Sequence, residues 1–536
     1  MARGPEPGVN AAWGGGRQGS AGAGPVLLVL LCALFLLPCI GLYPLFDVDE
    51  GAFSEATREI LRSGDWLSTT LNGVPRYDKP ILIYWLQAAS VGALGLNEFA
   101  LRLPSALAAL AWIGAIVRFA APRMGERNAL LGGWVAATSL GVFAMSRAAT
   151  ADALLNALLA AMMFDLWRHL EHGGGPGGRS ALRRTYLWMA LGVLTKGPIA
   201  ILIPLAVSLA YCASAGRWRD WLRAVADPAG WLILLAVAAP WYGWQLHIHG
   251  REFIDGFLVR HNLDRFSGTL EGHSGSLWYY LAVLPLLLLP WSGLLWQAAR
   301  RAPGQWGQPL ARYLLLWFAF VFVFFSLSGT KLPHYLLYGM TPVFLLVGRQ
   351  IAVSGTRANL VLPACGLLLL LPAVPALLQA WSQRDGVQAA GYYVAQAQRS
   401  LAAAGTPYYL VTVACAAIGL ALGLGLWRAR AWPAWRRGVA ATALLAVSLG
   451  YGFVPWLGDV LNGPQKRAGL FAAALPGTAV QWEFAAPSFS VYRRQITPSR
   501  PPQPGELAIT RSDRLDPAVP AEILFREGGV VLLRRK

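Results

Sequence analysis

Residues 81–96 read ILIYWLQAASVGALGL, and the fold turns on whether this block crosses a membrane. A hydrocarbon core of ~30 Å takes about 20 apolar residues in a helix, so the block is short for a span. Further apolar runs surround it, at about 26–42, 100–121, 128–146, 150–170, 184–195, 197–215, 229–248, 277–297, 311–329, 334–351, 359–381, 407–427 and 437–457. That makes thirteen spans, and counting 81–96 would make fourteen. Arginine placement decides between them, because cytoplasmic loops hold the Lys/Arg excess. With 81–96 lying on the surface as an interfacial helix, the loops assigned inside are Arg118–Arg127, Arg168–Arg184, Arg217–Arg223, Arg300–Arg312, Arg349–Arg357 and Arg428–Arg437. Every one is basic. Fourteen spans would turn all six outward.

Composition agrees with a polytopic membrane protein. Hydrophobic residues make up 56% of the 536 and charged residues 13%, where a soluble domain carries roughly 25% charged. Mean hydropathy is +0.46. A soluble enzyme, a disordered tail protein and a disulfide-stapled secreted domain are excluded. The net charge of +18 is mostly a topology signal facing the inner leaflet, so it implies membrane lipids as neighbours and no nucleic-acid partner. The five cysteines lie in or beside apolar runs with no paired spacing and read as packing thiols.

The expected organisation is a disordered cytoplasmic tail at 1–24, a membrane domain at 25–458 and an outer α/β domain at 459–536. Within the membrane domain, long outer loops lie at 46–99 and 249–276; a third, at 382–406, carries no motif. In the tail, a helix is expected at 466–475. Strands are expected at 480–484, 489–494, 506–511 and 522–535, the last turning at Gly528-Gly529.

The unusual residues collect on the outer side. Asp47-Val48-Asp49-Glu50 stands at the exit of the first span, and Asp152 opens the fourth. As a structural feature these are a solvated rim and a helix cap. As a functional one they are two carboxylates from separate helices at one membrane level, an acid/base arrangement. The lysines are sharper. The chain has five, and its three membrane-domain lysines stand in Lys79-Pro80, Lys196-Gly197-Pro198 and Lys331-Leu332-Pro333. All are on the outer side, where a compact ammonium on a stiff turn suits a phosphate. His261 and His273 share the second loop with Arg265; they are either ordinary loop histidines or, with Asp78, ligands of a divalent ion. Mid-span ionisable groups, which a coupled transporter needs, are nearly absent.

These features together resemble a known family. They are the Asp49-Glu50 pair, Tyr77-Asp78-Lys79-Pro80, Asp152, Leu194-Thr195-Lys196-Gly197-Pro198 and Lys331-Leu332-Pro333-His334-Tyr335. In this order they resemble the aminoarabinose transferase (ArnT) branch of the protein O-mannosyltransferase-like, GT-C-fold glycosyltransferases, over essentially the whole chain. The resemblance implies a bacterial inner-membrane enzyme with about thirteen spans, its active site and C-terminal domain periplasmic. It would move a sugar from undecaprenyl phosphate to an acceptor, lipid A above all. A glycan or protein acceptor, or a lipid-linked-sugar flippase, is the alternative.

By motif, Asp49 is implied as the base or acceptor-orienting carboxylate, with Glu50 beside it and Asp152 as the second acid. Lys79 and Arg265 are implied as phosphate contacts. Arg147, Lys196, Lys331, His334 and Tyr335 are expected at the substrate. Asp78, His261 and His273 are implied as a structural zinc site, with no cofactor needed for chemistry. Phosphate is already a good leaving group, so one inverting displacement is expected. The family's Asp-Glu-x-Arg-Tyr is Asp49-Glu50-Gly51-Ala52-Phe53 here, which leaves sugar and acceptor open.

Overall fold

The computed structural model describes residues 23–268, 275–353, 361–384, 391–426, 431–516 and 518–536; all but the last two residues of the expected tail at 1–24 lie outside them. Without water to satisfy it, backbone in lipid closes its own hydrogen bonds as helix, and each expected apolar block is helical over most of its described part. By length and apolar composition alone, five helices among the described residues reach a crossing, or seven when two bent pairs each count once. The shortfall from thirteen has local causes. Gly24–Leu36 and Ile199–Ser214 are short, at 13 and 16 residues, and Asp152–His172 is diluted by Asn156, Asp165 and Arg168. The block at 81–96 forms Leu82–Leu94, 13 residues or about 20 Å at 1.5 Å per residue, too short to span upright.

Three expected elements differ. The 277–297 block is two helices bent by 117° at a break, with Leu289-Pro290 between them. The expected helix at 466–475 is the far end of a continuous 40-residue helical run, Ala434–Ala473, in which the π-helical segment Leu449–Phe453 leads into Val454–Ala473. The expected strand at 489–494 is instead the helix Pro487–Arg493, with proline again in the first turn.

The core is aromatic, and several of its buried indoles donate across helices. Trp112 donates to Thr341 Oγ1 and Trp134 to Thr442 Oγ1, both at 2.9 Å, and Trp317 donates to the Tyr338 carbonyl at 2.8 Å. The basic loops gather at one end of the bundle: Arg217 donates to the Leu170 carbonyl, Arg312 to the Ser214 carbonyl, and Arg123 pairs with Glu171. The acids collect at the other end, with the C-terminal unit. That unit is a four-stranded sheet ordered Ala479–Gln481, Leu507–Arg511, Val530–Arg535, Ala521–Glu527, its first pair parallel and the rest antiparallel. The last two strands turn at Gly528-Gly529 as the sequence indicates.

Two networks fix the acid-bearing end. The side chain of Arg102, fully buried inside the helix Glu98–Met124, binds both oxygens of Glu50 at 2.8 and 2.7 Å and the carbonyls of Ile40, Tyr43 and Pro44. Glu50 also accepts from the amides of Phe46 and Ala149. The C-terminal unit then docks on the first loop. Asp47 accepts from the Ser488 amide at 2.9 Å and from its hydroxyl, Leu45 N–H donates to Tyr492 Oη, and Lys466 pairs with Glu98 at 2.5 Å. The approach is close: a Cβ on Gly51 would stand 2.6 Å from the Ser488 nitrogen.

Removing the guanidinium in Arg102→Met strands the buried Glu50 carboxylate, and a broken buried pair costs about 3–5 kcal/mol; thermal unfolding in detergent should show the loss. Burial pushes the Asp47 carboxyl up to about 7, against hydrogen bonds from Ser488 that lower it. The folded protein thus keeps a proton that an unfolded chain releases near pH 4, and stability falls as pH rises from about 4 to 7. Between pH 5 and 8 the unfolding temperature should drop further in wild type than in Asp47→Asn, whose amide does not titrate.

Candidate active site

Two cavities lie at the acid-bearing end, separated by one buried layer. The first, of about 410 Å³, is lined by Asp49, Glu50, Arg147, Asp152 and His334, with Leu140, Phe143, Leu449, Phe453 and Val454 as its apolar wall. The second, of about 590 Å³, is lined by Asp78, Lys79, Lys196, Arg265, Tyr335 and Tyr338, with Ile199, Leu202, Leu258, Phe266 and Phe324. One presents carboxylates and the other cations. Each opens along an apolar flank of the kind a lipid chain occupies.

Asp49 is the first residue of the amphipathic helix Asp49–Ser63, where the N-terminal dipole favours a negative charge. It is exposed to the cavity and takes no hydrogen bond from another described residue, so its lone pairs are open. Glu50, one residue on, is turned inward, and Arg102 with the two amides described above occupies both its oxygens. The sequence placed the two acids side by side; the fold gives them opposite environments.

The dividing layer is built on Asp152, first residue of Asp152–His172. Its carboxylate is paired with the Lys196 ammonium, accepts from Tyr338 Oη at 2.9 Å and lies 3.7 Å from His334 Nε2. Lys196 stands 5.4 Å from the ring centres of both Tyr335 and Tyr338, a favourable setting for an ammonium. Asp152 and His334 line the first cavity while Lys196 and Tyr338 line the second, so the pairs join the two chambers.

In the second cavity Lys79 Nζ is 2.5 Å from Asp78 Oδ1, and Arg265 donates to Tyr335 Oη at 3.0 Å with Nη2 3.7 Å from Asp78. Arg76 pairs with Asp78 at 3.0 Å and lies over the Phe53 ring. Burial raises the Asp78 carboxyl, but Lys79, Arg76, His261 and Arg265 together hold it well below the usual carboxylate range. Burial also pushes the Lys79 ammonium below its ordinary value, with Asp78 opposing. Three cations around one carboxylate leave an excess of positive charge for an anion.

Lys331, expected at the phosphate, is elsewhere. It is buried and donates to the carbonyls of Ser326 and Ser328 at 2.9 and 2.6 Å, capping the C-terminal end of Pro309–Leu327, where a cation meets the negative end of the helix dipole. Arg147 lines the first cavity rather than the cationic one. Two of the three expected zinc ligands, Asp78 and His261, are among the described residues. His261 Nδ1 approaches Asp78 Oδ1 at 3.2 Å and so joins the two loops, but three cations already neutralise that carboxylate. Among the described residues no three His, Cys, Asp or Glu side chains converge on an ion position, and His273 lies outside them. Sequence reasoning missed Arg102 and Tyr338. An arginine four residues into a 27-residue apolar helix was a signal for the first; nothing local marked the second.

Comparison with known proteins follows the same lines. Residues 78–244 match the dolichyl-phosphate-mannose-protein mannosyltransferase family. The undecaprenyl phosphate-α-4-amino-4-deoxy-L-arabinose arabinosyl transferase of Pseudomonas paraeruginosa is 32% identical over 360 residues, covering 66% of this chain and 64% of that protein. The Shewanella sediminis protein of the same name is 30% identical over 328 residues, 59% of this chain and 58% of its own. The chain thus spans a little under two thirds of the length of these relatives. The crystal structure of ArnT from Cupriavidus metallidurans bound to undecaprenyl phosphate superposes with a TM-score of 0.75 at 20% identity, covering 96% of this chain and 98% of that one. The fold is shared from end to end with the Cupriavidus protein, and in sequence the chain is similar to the arabinosyl transferases and, over residues 78–244, to the dolichyl-phosphate-mannose-protein mannosyltransferase family.

Proposed function

We propose that the protein transfers a sugar, aminoarabinose in type, from undecaprenyl phosphate to a lipid A acceptor on the periplasmic face of the bacterial inner membrane. The observation that carries this reading is the pair of cavities. A cation-lined chamber with an apolar flank suits a polyprenyl phosphate, and a chamber with one open carboxylate and its own apolar flank suits a second lipid. Basic loops at the opposite end support the orientation, since they belong inside. The relatives' names and the undecaprenyl phosphate in the Cupriavidus protein support the donor.

Lys79 and Arg265 hold the donor phosphate, with Lys196 at its sugar-side edge. As the bond from the anomeric carbon to the phosphate oxygen breaks, charge builds on that oxygen, and fixed cations stabilise the transition state more than the ground state. Asp49 receives the acceptor from the other chamber. It takes a proton from a hydroxyl acceptor, or orients one already ionised. Asp152 holds Lys196 and Tyr338 in place so that the dividing layer keeps its shape. Glu50 is a positioning residue, fixing the first turn that carries Asp49. Attack from one chamber on a sugar presented from the other makes a single displacement with inversion.

Two variants test the assignment with purified enzyme, undecaprenyl-phosphate sugar and lipid A, followed by mass spectrometry of the lipid product. Asp49→Asn should lower kcat by roughly 10²- to 10⁴-fold, the usual range for a positioned acid or base, with undecaprenyl phosphate binding unchanged. Lys79→Met should instead weaken donor binding by roughly ten- to a hundredfold, the loss of one charge-assisted contact. Full turnover in Asp49→Asn would refute the catalytic role.

A further inference from the structure

Another cavity lies at the opposite, basic end of the bundle. There the helix Pro176–Lys196 presents Arg179, Ser180, Arg183, Arg184 and Leu187 on one face, the i, i+3 and i, i+4 spacing of a single helical stripe. With Ile233 of the neighbouring helix Pro228–Phe253, this stripe lines a basin of about 710 Å³. No carboxylate is among the lining residues.

Arg184 is tied down. Its Nε and Nη2 bind the two oxygens of Asp165 at 2.9 Å each, and its Nη1 donates to Ser180 Oγ at 2.9 Å. Asp165 also takes Arg168 at 2.7 Å, so one carboxylate already answers two guanidiniums. Arg179 and Arg183 are exposed, and neither side chain has an ion pair or hydrogen bond among the described residues. The basin thus carries positive charge that no described protein group balances, in the planar, forked form that suits a phosphate.

The lining also has a polarity gradient. From Arg179 to Leu187 is about 12 Å at 1.5 Å per residue, and over that distance the wall changes from guanidinium to Leu187 and Ile233. Beside them Trp231, Leu232 and Leu235 of the second helix are exposed at 42, 70 and 53%, an outward face that suits acyl chains rather than water. A soluble anion would use the guanidiniums and leave the apolar half bare; a phospholipid fills both. Basic pockets between membrane helices on the inner side are where acidic lipid headgroups settle. We propose that the basin holds an anionic phospholipid, its phosphate on Arg179 and Arg183 and its acyl chains along Leu187 and Ile233. This site is separate from the two chambers and independent of the transfer reading; only its assignment to the inner leaflet follows from the orientation proposed above.

The test is native mass spectrometry of the full-length protein, stripped of lipid in detergent and titrated with phosphatidylglycerol or with phosphatidylcholine of the same acyl chains. Each interfacial arginine is worth roughly fivefold in affinity for an anionic surface, so wild type should prefer phosphatidylglycerol by at least about tenfold. Replacing both arginines, Arg179→Gln with Arg183→Gln, should weaken phosphatidylglycerol by roughly ten- to thirtyfold and leave phosphatidylcholine unchanged. Neither side chain has a described polar partner to lose, so the lipid-free variant should unfold at the wild-type temperature. The control pair, Arg219→Gln with Arg300→Gln, removes two exposed arginines that do not line the basin and should keep the preference. Equal loss in both pairs would mean diffuse surface charge and overturns the site. A preference that survives in Arg179→Gln with Arg183→Gln overturns it as well. Glycerol phosphate at the concentration of the lipid should displace none of it; full displacement overturns the lipid assignment in favour of a soluble anion.

Discussion

The acid-bearing end of the molecule depends on the buried pair between Arg102 and Glu50. One guanidinium binds both carboxylate oxygens and three carbonyls in the stretch that follows the first helix, and the carboxylate also takes the Ala149 amide. Four chain segments meet there: the stretch after the first helix, the start of the amphipathic helix, the Glu98–Met124 helix and the turn before Asp152. A buried pair of this kind stabilises little in net terms, but it allows only one relative placement of those segments. Asp49 lies one residue from this pair and Asp152 three residues beyond Ala149. Their mutual position is therefore inherited from a contact that touches no substrate.

From that constraint the electrostatics of the two chambers follow. A polyprenyl phosphate and an anionic acceptor repel each other, and bringing both to one point in a low-dielectric setting is unfavourable. The dividing layer of Asp152, Lys196 and Tyr338 separates the two chambers, and the excess of cations lies in the second. The C-terminal unit acts at the same place from outside. Ser488 clasps Asp47, two residues before Asp49, and Gly51 is the residue that lets the two backbones approach.

Much of this was legible in the sequence, for physical reasons. Apolar runs in lipid have to be helices, basic loops mark one side, and charged residues at a membrane boundary are costly enough to be informative. Asp49, Asp152 and Lys79 stand out on those grounds and Arg265 through the family resemblance, and all four line the two chambers. What was not legible depends on long-range partners. Asp49 and Glu50 are neighbours in the chain, but only the distant Arg102 makes one structural and leaves the other open. Lys331 shares its Lys-x-Pro setting with phosphate-side lysines, yet its nearest acceptors are the last carbonyls of its own preceding helix. Phe489–Arg494 carries strand-like residues, and the proline ahead of them starts a helix instead. Arg147 was expected at the substrate, and only the fold shows its guanidinium on the Phe35 and Phe143 carbonyls.

The central claim is that donor and acceptor occupy separate chambers at the same time and that the sugar passes directly between them. Initial rates measured while both lipids are varied test this most directly. Direct transfer through a ternary complex predicts double-reciprocal lines that intersect. Parallel lines would mean that the first product leaves before the acceptor binds, which requires a glycosyl-enzyme intermediate and contradicts a single displacement across the Asp152 layer.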